Sequence, residues 1–101
     1  MQPWAPTLTP HQTRRAGKTL EELSELGAVL ARIQIQALDD IDLGSGKTNR
    51  ARLEEEIADV YAQLRLTYLA FGLDLGNIAR RMDVKMKLMA EWEAHFFGGS
   101  K

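Results

Sequence analysis

Apolar residues recur at helical spacing along three stretches of the chain, at steps of three or four positions, which is the period of one face of an α-helix. The first stretch contains Leu23, Leu26, Leu30, Ile33 and Ala37, the second Leu53, Ile57, Val60, Leu64 and Tyr68, and the third Ile78, Met82, Met89 and Phe96. No segment reads as a candidate strand. The pattern therefore predicts an all-α fold, a helical bundle of about three main helices per chain.

Local signals indicate where the first helix begins. Thr9 is expected to be its N-cap, Pro10 its first helical residue, and Gln12 the partner that completes a capping box. Because no proline interrupts the next residues, we expect one long helix to about Leu38, with a possible kink near Gly17.

The second and third helices are bounded by turn formers. Residues 39–47 form a polar segment typical of a loop. Thr48 or Asn49 can cap the helix that follows, and Gly72 can end it. These helices are expected over residues 50–71 and 75–95.

The length of 101 residues predicts one domain over residues 1–101, with an extended arm at 1–8 and a flexible tail at 98–101. Several apolar residues lie off the main faces and enlarge the apolar surface beyond what three helices can bury. They are Val29, Leu66, Leu69, Val84, Leu88 and Trp92. Surplus apolar surface on a small helical chain favours a second copy as partner. We therefore expect a homodimer or homotetramer that completes the bundle.

Composition excludes several classes of partner and of site. With 13 basic and 14 acidic residues, a formal net charge of −1 gives no general attraction for nucleic acid polymers or anionic membranes. The absence of cysteine excludes disulfides and zinc–thiolate sites. Apolar runs are too short to span a bilayer, and the first residues do not resemble a signal peptide. A cytoplasmic protein is the expectation.

Four carboxylates stand at matched spacing on the first two helices. Glu22 and Glu25 form one i, i+3 pair, and Glu56 and Asp59 form another. If the two helices pack together, these groups converge and repel one another, an arrangement that makes sense mainly when cations lie between them. Oxygen ligands favour Mg²⁺, with Mn²⁺ as a substitute. The alternative is a solvated acidic face on a non-catalytic helical interaction module.

These residues resemble the MazG-type all-α nucleoside triphosphate pyrophosphohydrolases, whose pattern is Glu-Glu-x-x-Glu on one helix and Glu-x-x-Asp on the next. The chain has Glu21-Glu22-Leu23-Ser24-Glu25 and then Glu56-Ile57-Ala58-Asp59. The similarity covers residues 11–97 and is greatest to short, phage-type members. It implies Mg²⁺ ligands at Glu22, Glu25, Glu56 and Asp59, and hydrolysis of NTP or dNTP to the monophosphate and pyrophosphate.

Phosphate binding requires cations near these acids. Lys18 precedes Glu22 by one helical turn, and Lys85 falls inside the apolar stripe of the third helix, where a buried lysine needs an anionic partner. Arg81 is a lesser candidate. The arginines expected to be solvated are Arg14, Arg15, Arg50 and Arg52. Glu21 or Glu55 is a possible proton acceptor for the attacking water.

Other readings of the sequence are weaker. The run Gly44–Thr48 resembles the end of a P-loop but lacks the first glycine and a preceding strand. A di-iron site requires Glu-x-x-His pairs, and neither His11 nor His95 has a glutamate three residues before it. A modified nucleotide or a non-nucleoside pyrophosphate remains open as the substrate.

Overall fold

A computed structural model describes residues 7–97 and shows three helices and no strand within that range. The helices are α1, Pro10–Arg32; α2, Asn49–Phe71; and α3, Leu75–Phe96. The all-α prediction is confirmed. Most of the expected arm, residues 1–6, and the expected tail, residues 98–101, lie outside the described residues.

The start of α1 has the predicted capping box. The backbone N–H of Gln12 donates to Thr9 Oγ1 at 3.1 Å, and the backbone N–H of Thr9 donates to Gln12 Oε1 at 3.0 Å. Pro10 occupies the first turn, where its missing N–H costs nothing. The helix then runs through Gly17 without a break.

The end of α1 was predicted wrongly. The helix stops at Arg32, about six residues before Leu38, and Ile33 is its C-cap. Beyond it the chain takes local partners: Ala37 N–H donates to Asp40 Oδ2 at 3.0 Å, and Asn49 Nδ2 donates to Ala37 O at 3.1 Å. Side chains that bond backbone groups compete with helical hydrogen bonds, so these two bonds favour the non-helical conformation at Ala37.

The loop between α1 and α2 is folded around Asp42. Its N–H donates to Lys47 O at 2.7 Å, and its carboxylate accepts from the Ser45 N–H at 2.8 Å. Gly46 has φ +75°, a left-handed conformation that glycine adopts without a steric penalty. Hydrogen bonds from Ser45, and more weakly the nearby arginines, lower the pKa of Asp42. The predicted loop is thus an ordered turn.

Helices α1 and α2 pack side by side and run antiparallel. Thr19 Oγ1 and Thr67 Oγ1 share a hydrogen bond at 2.7 Å. Gln12 Nε2, earlier in α1, reaches the carbonyl of Ala70, later in α2, at 3.3 Å. The residue nearer the start of α1 thus contacts the residue nearer the end of α2. Together the two bonds define the register of the helix pair.

The core of this pair is small and differs from the predicted one. Among residues 7–97, the buried apolar side chains are Val29 at 0% and Val60 at 5% exposure. Val29 had been placed off the main apolar face, whereas Leu23 and Leu30, placed on it, are exposed. The buried face of α1 is therefore rotated toward Thr19, Glu22 and Val29. A good part of the leucine surface remains uncovered within the chain.

The described chain divides into two units between Phe71 and Gly72. Gly72 has φ +64° and ends α2 as predicted. In the second unit, Asp74 caps α3 by accepting from the N–H of Asn77 at 3.2 Å. No side chain along Leu75–Phe96 is buried. None of the helices within residues 7–97 is long and apolar enough to cross a membrane.

Candidate metal centre

Three of the four predicted carboxylates meet between α1 and α2. Glu22, Glu56 and Asp59 each offer one carboxylate oxygen, and these three oxygens lie within 4.8 Å of one another. Glu22 comes from α1, and the other two come from α2. The two helices thus bring acidic groups more than 30 residues apart in sequence into one small volume.

The antiparallel register explains why these acids meet. Glu22 lies one turn after Thr19, whose hydroxyl is bonded to Thr67. Because the helices are antiparallel, residues that follow Thr19 in α1 lie opposite residues that precede Thr67 in α2. Asp59 and Glu56 are among these residues of α2. The i, i+3 spacing then places Glu56 and Asp59 about one turn apart, on the side of α2 that faces Glu22.

Two of the acids have oxygens that are buried without a partner. Glu22 is only 8% exposed. Its Oε2 and Oε2 of Glu56 are inaccessible to solvent and have no hydrogen-bond partner among the described residues. A buried carboxylate oxygen without a donor is costly, and a proton or a cation removes that cost. An all-oxygen donor set of this kind fits Mg²⁺ or Mn²⁺.

The electrostatics of Glu56 agree with this fit. Burial raises the pKa of Glu56, and the negative charges of Asp59 and Glu22 raise it further. Arg52, one turn before Glu56 on α2, opposes the rise. The charged form of Glu56 is therefore disfavoured when no cation is near, and a bound divalent ion would reverse that preference.

Glu25 stands next to this group. Its carboxyl lies within hydrogen-bonding reach of Glu22, and this contact, followed by the charge of Glu22, raises the pKa of Glu25. The charge of Glu56 also contributes. Glu25 itself is exposed. The fourth predicted ligand is thus beside the cluster of Glu22, Glu56 and Asp59 and interacts with it through Glu22.

Lys18 supplies the positive charge nearest to Glu22. Its Nζ lies 2.8 Å from Glu21 Oε1 and 3.3 Å from Glu22 Oε1. These contacts, with Glu21 first, raise the pKa of Lys18. Since the lysine side chain is 45% exposed, it can still be reached from solvent.

The remaining predicted residues are Glu55, Lys85 and Arg81. Glu55, a candidate proton acceptor, forms an ion pair with Lys47 at 2.9 Å. Lys85 and Arg81 belong to the second unit and are exposed along α3. Burial of Lys85 within the apolar stripe of α3 is therefore not observed, and its role in phosphate binding stays a prediction.

Two arginines near the site had been expected in solvent. Arg52 is partly buried, and its charge opposes the rise in the pKa of Glu56. Its Nη1 lies 3.8 Å from Asp42 Oδ1. Arg15 is also partly buried and donates through Nη2 to Gln63 Oε1. Their helical spacing from acidic residues, four positions from Arg52 to Glu56 and seven from Arg15 to Glu22, was the available signal in the sequence.

No protein-family model, curated protein or solved structure matches this chain. The resemblance to MazG-type enzymes therefore rests on the motif residues and their spacing.

Proposed function

We propose that this protein is a Mg²⁺-dependent nucleoside triphosphate pyrophosphohydrolase, with Mn²⁺ as a possible substitute. It would convert an NTP or dNTP to the monophosphate and pyrophosphate. The observation that carries this proposal is the convergence of Glu22, Glu56 and Asp59 within 4.8 Å, with buried carboxylate oxygens that lack a donor among the described residues.

In this proposal Glu22, Glu56 and Asp59 hold the ion, and Glu25 joins them by turning from Glu22 toward the same position. A divalent ion held there supplies positive charge to the phosphate oxygens and makes a neighbouring water more acidic. The motif Glu-Glu-x-x-Glu followed by Glu-x-x-Asp supports this assignment, because it contains all four of these acids.

Lys18 binds a phosphate oxygen of the substrate. It is anchored by Glu21 and Glu22, yet half of its side chain is open to solvent. A phosphate can therefore replace one of these carboxylates as its partner. Arg81 and Lys85 remain further candidates for phosphate contacts, on their sequence positions.

The proton acceptor for water is Glu21 or Glu55. Each is bonded to a lysine, Glu21 to Lys18 and Glu55 to Lys47. Each must leave its lysine, or share it with a phosphate, before it can take a proton. Lys18 is the residue through which substrate binding would release Glu21, which makes Glu21 the better candidate of the two.

The enzyme would act in the cytoplasm as a homodimer or homotetramer. Exposed leucines along α1, namely Leu20, Leu23 and Leu30, support self-association, as do the exposed side chains of α3. Most of the stability of a protein helix comes from packing of its apolar face, and a second copy can provide that packing.

Metal and nucleotide titrations test the proposal together. We expect Mg²⁺ or Mn²⁺, but not K⁺, to raise the melting temperature of protein stripped with EDTA. With the metal present, we expect pyrophosphate release from at least one of the eight common NTPs and dNTPs. If neither metal has an effect on stability or on pyrophosphate release, the enzyme assignment is wrong.

A non-catalytic interaction module is the second candidate, and the exposed apolar residues of α1 favour it. It predicts self-association that is independent of Mg²⁺, with no pyrophosphate release. A protein that binds Mg²⁺ but leaves all common nucleotides intact would instead point to a modified nucleotide or a non-nucleoside pyrophosphate as substrate.

A further inference from the structure

We infer that a groove on α1, lined by His11, Arg14, Arg15 and Lys18, binds the pyrophosphate portion of the substrate. The groove has a volume of about 210 Å³ and is open to solvent. Its lining residues lie at i, i+3, i+4 and i+7, so they share one side of the helix. The identity of the ligand rests on the proposed function, whereas anion binding in the groove does not depend on the metal.

Lys18 is paired with Glu21 and Glu22, but the two arginines of the groove have no carboxylate partner within the described residues. No carboxylate within residues 7–97 forms an ion pair with His11, Arg14 or Arg15. Arg15 donates to the neutral amide of Gln63, and its Nε is buried with no acceptor among the described residues. The guanidinium groups of Arg14 and Arg15 therefore lack an anionic partner among the described residues, and an anion in the groove would provide one.

The positive side chains that line the groove destabilise α1. Positive side chains near the start of a helix meet the positive end of its dipole, and like charges one turn apart repel. The first turn of α1 contains no acidic residue to offset them. The backbone N–H groups of Thr9 and Gln12 already have partners in the capping box, and Pro10 has no N–H, so we assign the anion to the side chains. A cluster that costs stability and points into a groove is typical of a binding site.

The groove and the carboxylates follow one another along α1. Lys18 belongs to both, because it lines the groove and lies 3.3 Å from Glu22. The helical rise separates Lys18 from Glu22 by about 6 Å, and Arg14 from Glu22 by about 12 Å. A phosphate chain that begins at the carboxylates would pass Lys18 and extend toward Arg14 and Arg15. The groove would therefore receive the terminal phosphates, which leave as pyrophosphate.

Isothermal titration calorimetry with inorganic pyrophosphate, in EDTA, tests this inference. We expect wild-type protein to bind pyrophosphate, and Arg14→Gln and Arg15→Gln to bind it about tenfold more weakly, because each removes charge-assisted hydrogen bonds. Arg65→Gln is the matched control, since Arg65 is an exposed arginine of α2 outside the groove. It should bind as the wild type does. Far-UV circular dichroism checks that each variant is folded.

Several outcomes overturn the inference: no binding of pyrophosphate, unchanged binding by Arg14→Gln, or equally tight binding of orthophosphate and sulfate. Arg15→Gln alone does not decide the matter if it unfolds, because Arg15 also bonds Gln63. Arg14 lines the groove without a recorded hydrogen bond or ion pair among the described residues, so its variant is decisive.

The experiment also separates this inference from the proposed function. Glu56→Gln should abolish the effect of Mg²⁺ while metal-free pyrophosphate binding persists. If Mg²⁺ has no effect on any variant but Arg14→Gln still weakens pyrophosphate binding, the proposed function fails and the anion groove stands. If hydrolysis occurs and Arg14→Gln changes neither pyrophosphate affinity nor KM, the groove fails and the proposed function stands.

Discussion

Replacement of Glu56 by Gln should stabilise the metal-free protein and abolish its hydrolytic activity. The change keeps the size of the side chain but removes one of three negative charges whose oxygens lie within 4.8 Å. At that distance two unit charges repel by about 3.5 kcal/mol when the effective dielectric constant is about 20. Glu56 faces two such neighbours, Asp59 and Glu22.

Protonation of Glu56 in the wild-type protein limits how much the substitution can raise the free energy of unfolding. At pH 7 a carboxyl with an ordinary pKa of 4.5 can escape repulsion by taking up a proton, at a cost of about 3.4 kcal/mol. Solvent screening reduces the penalty further, because Glu56 is only partly buried. We therefore expect Glu56→Gln to raise the free energy of unfolding in EDTA by about 1 to 3 kcal/mol, or the melting temperature by about 5 to 15 °C.

Mg²⁺ should stabilise the wild-type protein far more than the Glu56→Gln variant. Wild-type protein should gain about 2.7 kcal/mol when Mg²⁺ is present at a hundred times its Kd, whereas Glu56→Gln should gain far less. Differential scanning fluorimetry in EDTA and in a Mg²⁺ series measures both effects. Glu54→Gln, an exposed acid on the same helix, is the control and should behave as the wild type does.

The sign of the pH dependence follows from the raised pKa of Glu56. Because the folded-state pKa lies above the ordinary value, the metal-free protein loses stability as the pH rises from about 4.5 through the folded-state pKa. Glu56→Gln should remove that loss. Three results would contradict the role of Glu56: lower stability than Glu54→Gln in EDTA, equal stabilisation of both variants by Mg²⁺, or hydrolysis by Glu56→Gln at the wild-type rate.

Substitutions at four further positions test the fold by urea denaturation. Asn49→Ala should lower the free energy of unfolding by about 1 to 3 kcal/mol, because it removes the buried bond to Ala37 O; an unchanged midpoint would contradict this. Val29→Ala, at a fully buried position, should cost about 2 kcal/mol, and a cost near zero would show that the site is exposed in solution. Thr9→Ala should cost about 1 kcal/mol through loss of the capping box, an effect that Thr9→Ser should largely avoid. Asp42, whose pKa is lowered, stabilises the folded protein above its ordinary pKa, and that stability is lost as the pH falls through the folded-state value. Asp42→Asn should therefore reduce stability at pH 7 more than at pH 3, and equal losses would count against it.

Local sequence patterns predicted most of the helical structure. The Thr9–Gln12 capping box, the cap at Thr48 and the stop at Gly72 each involve residues within one turn of the helix end. Such signals act through backbone groups only a few positions away, so they can be read without knowledge of the fold. The same is true of the i, i+3 spacing that identified the four acids as candidates.

To predict where α1 ends and which of its faces is buried, one needs information from elsewhere in the chain. Apolar periodicity continues to Ala37, yet the helix ends at Arg32, and the Ala37 carbonyl accepts a bond from Asn49 at the start of α2. Val29 is fully buried, although its spacing placed it off the main leucine face. Which face of α1 is buried depends on the packing of α2 against it, and Leu23 and Leu30 remain exposed.

The sequence by itself determined that the protein is helical and which acids could act together within each helix. Only the tertiary structure decided that Glu22 meets Glu56 and Asp59, and that Arg15 faces Gln63 across the two helices. The physical reason is the register between α1 and α2, which is defined by contacts such as Thr19 with Thr67. These residues are 48 positions apart, and no pattern within one helix specifies how far one helix slides along another.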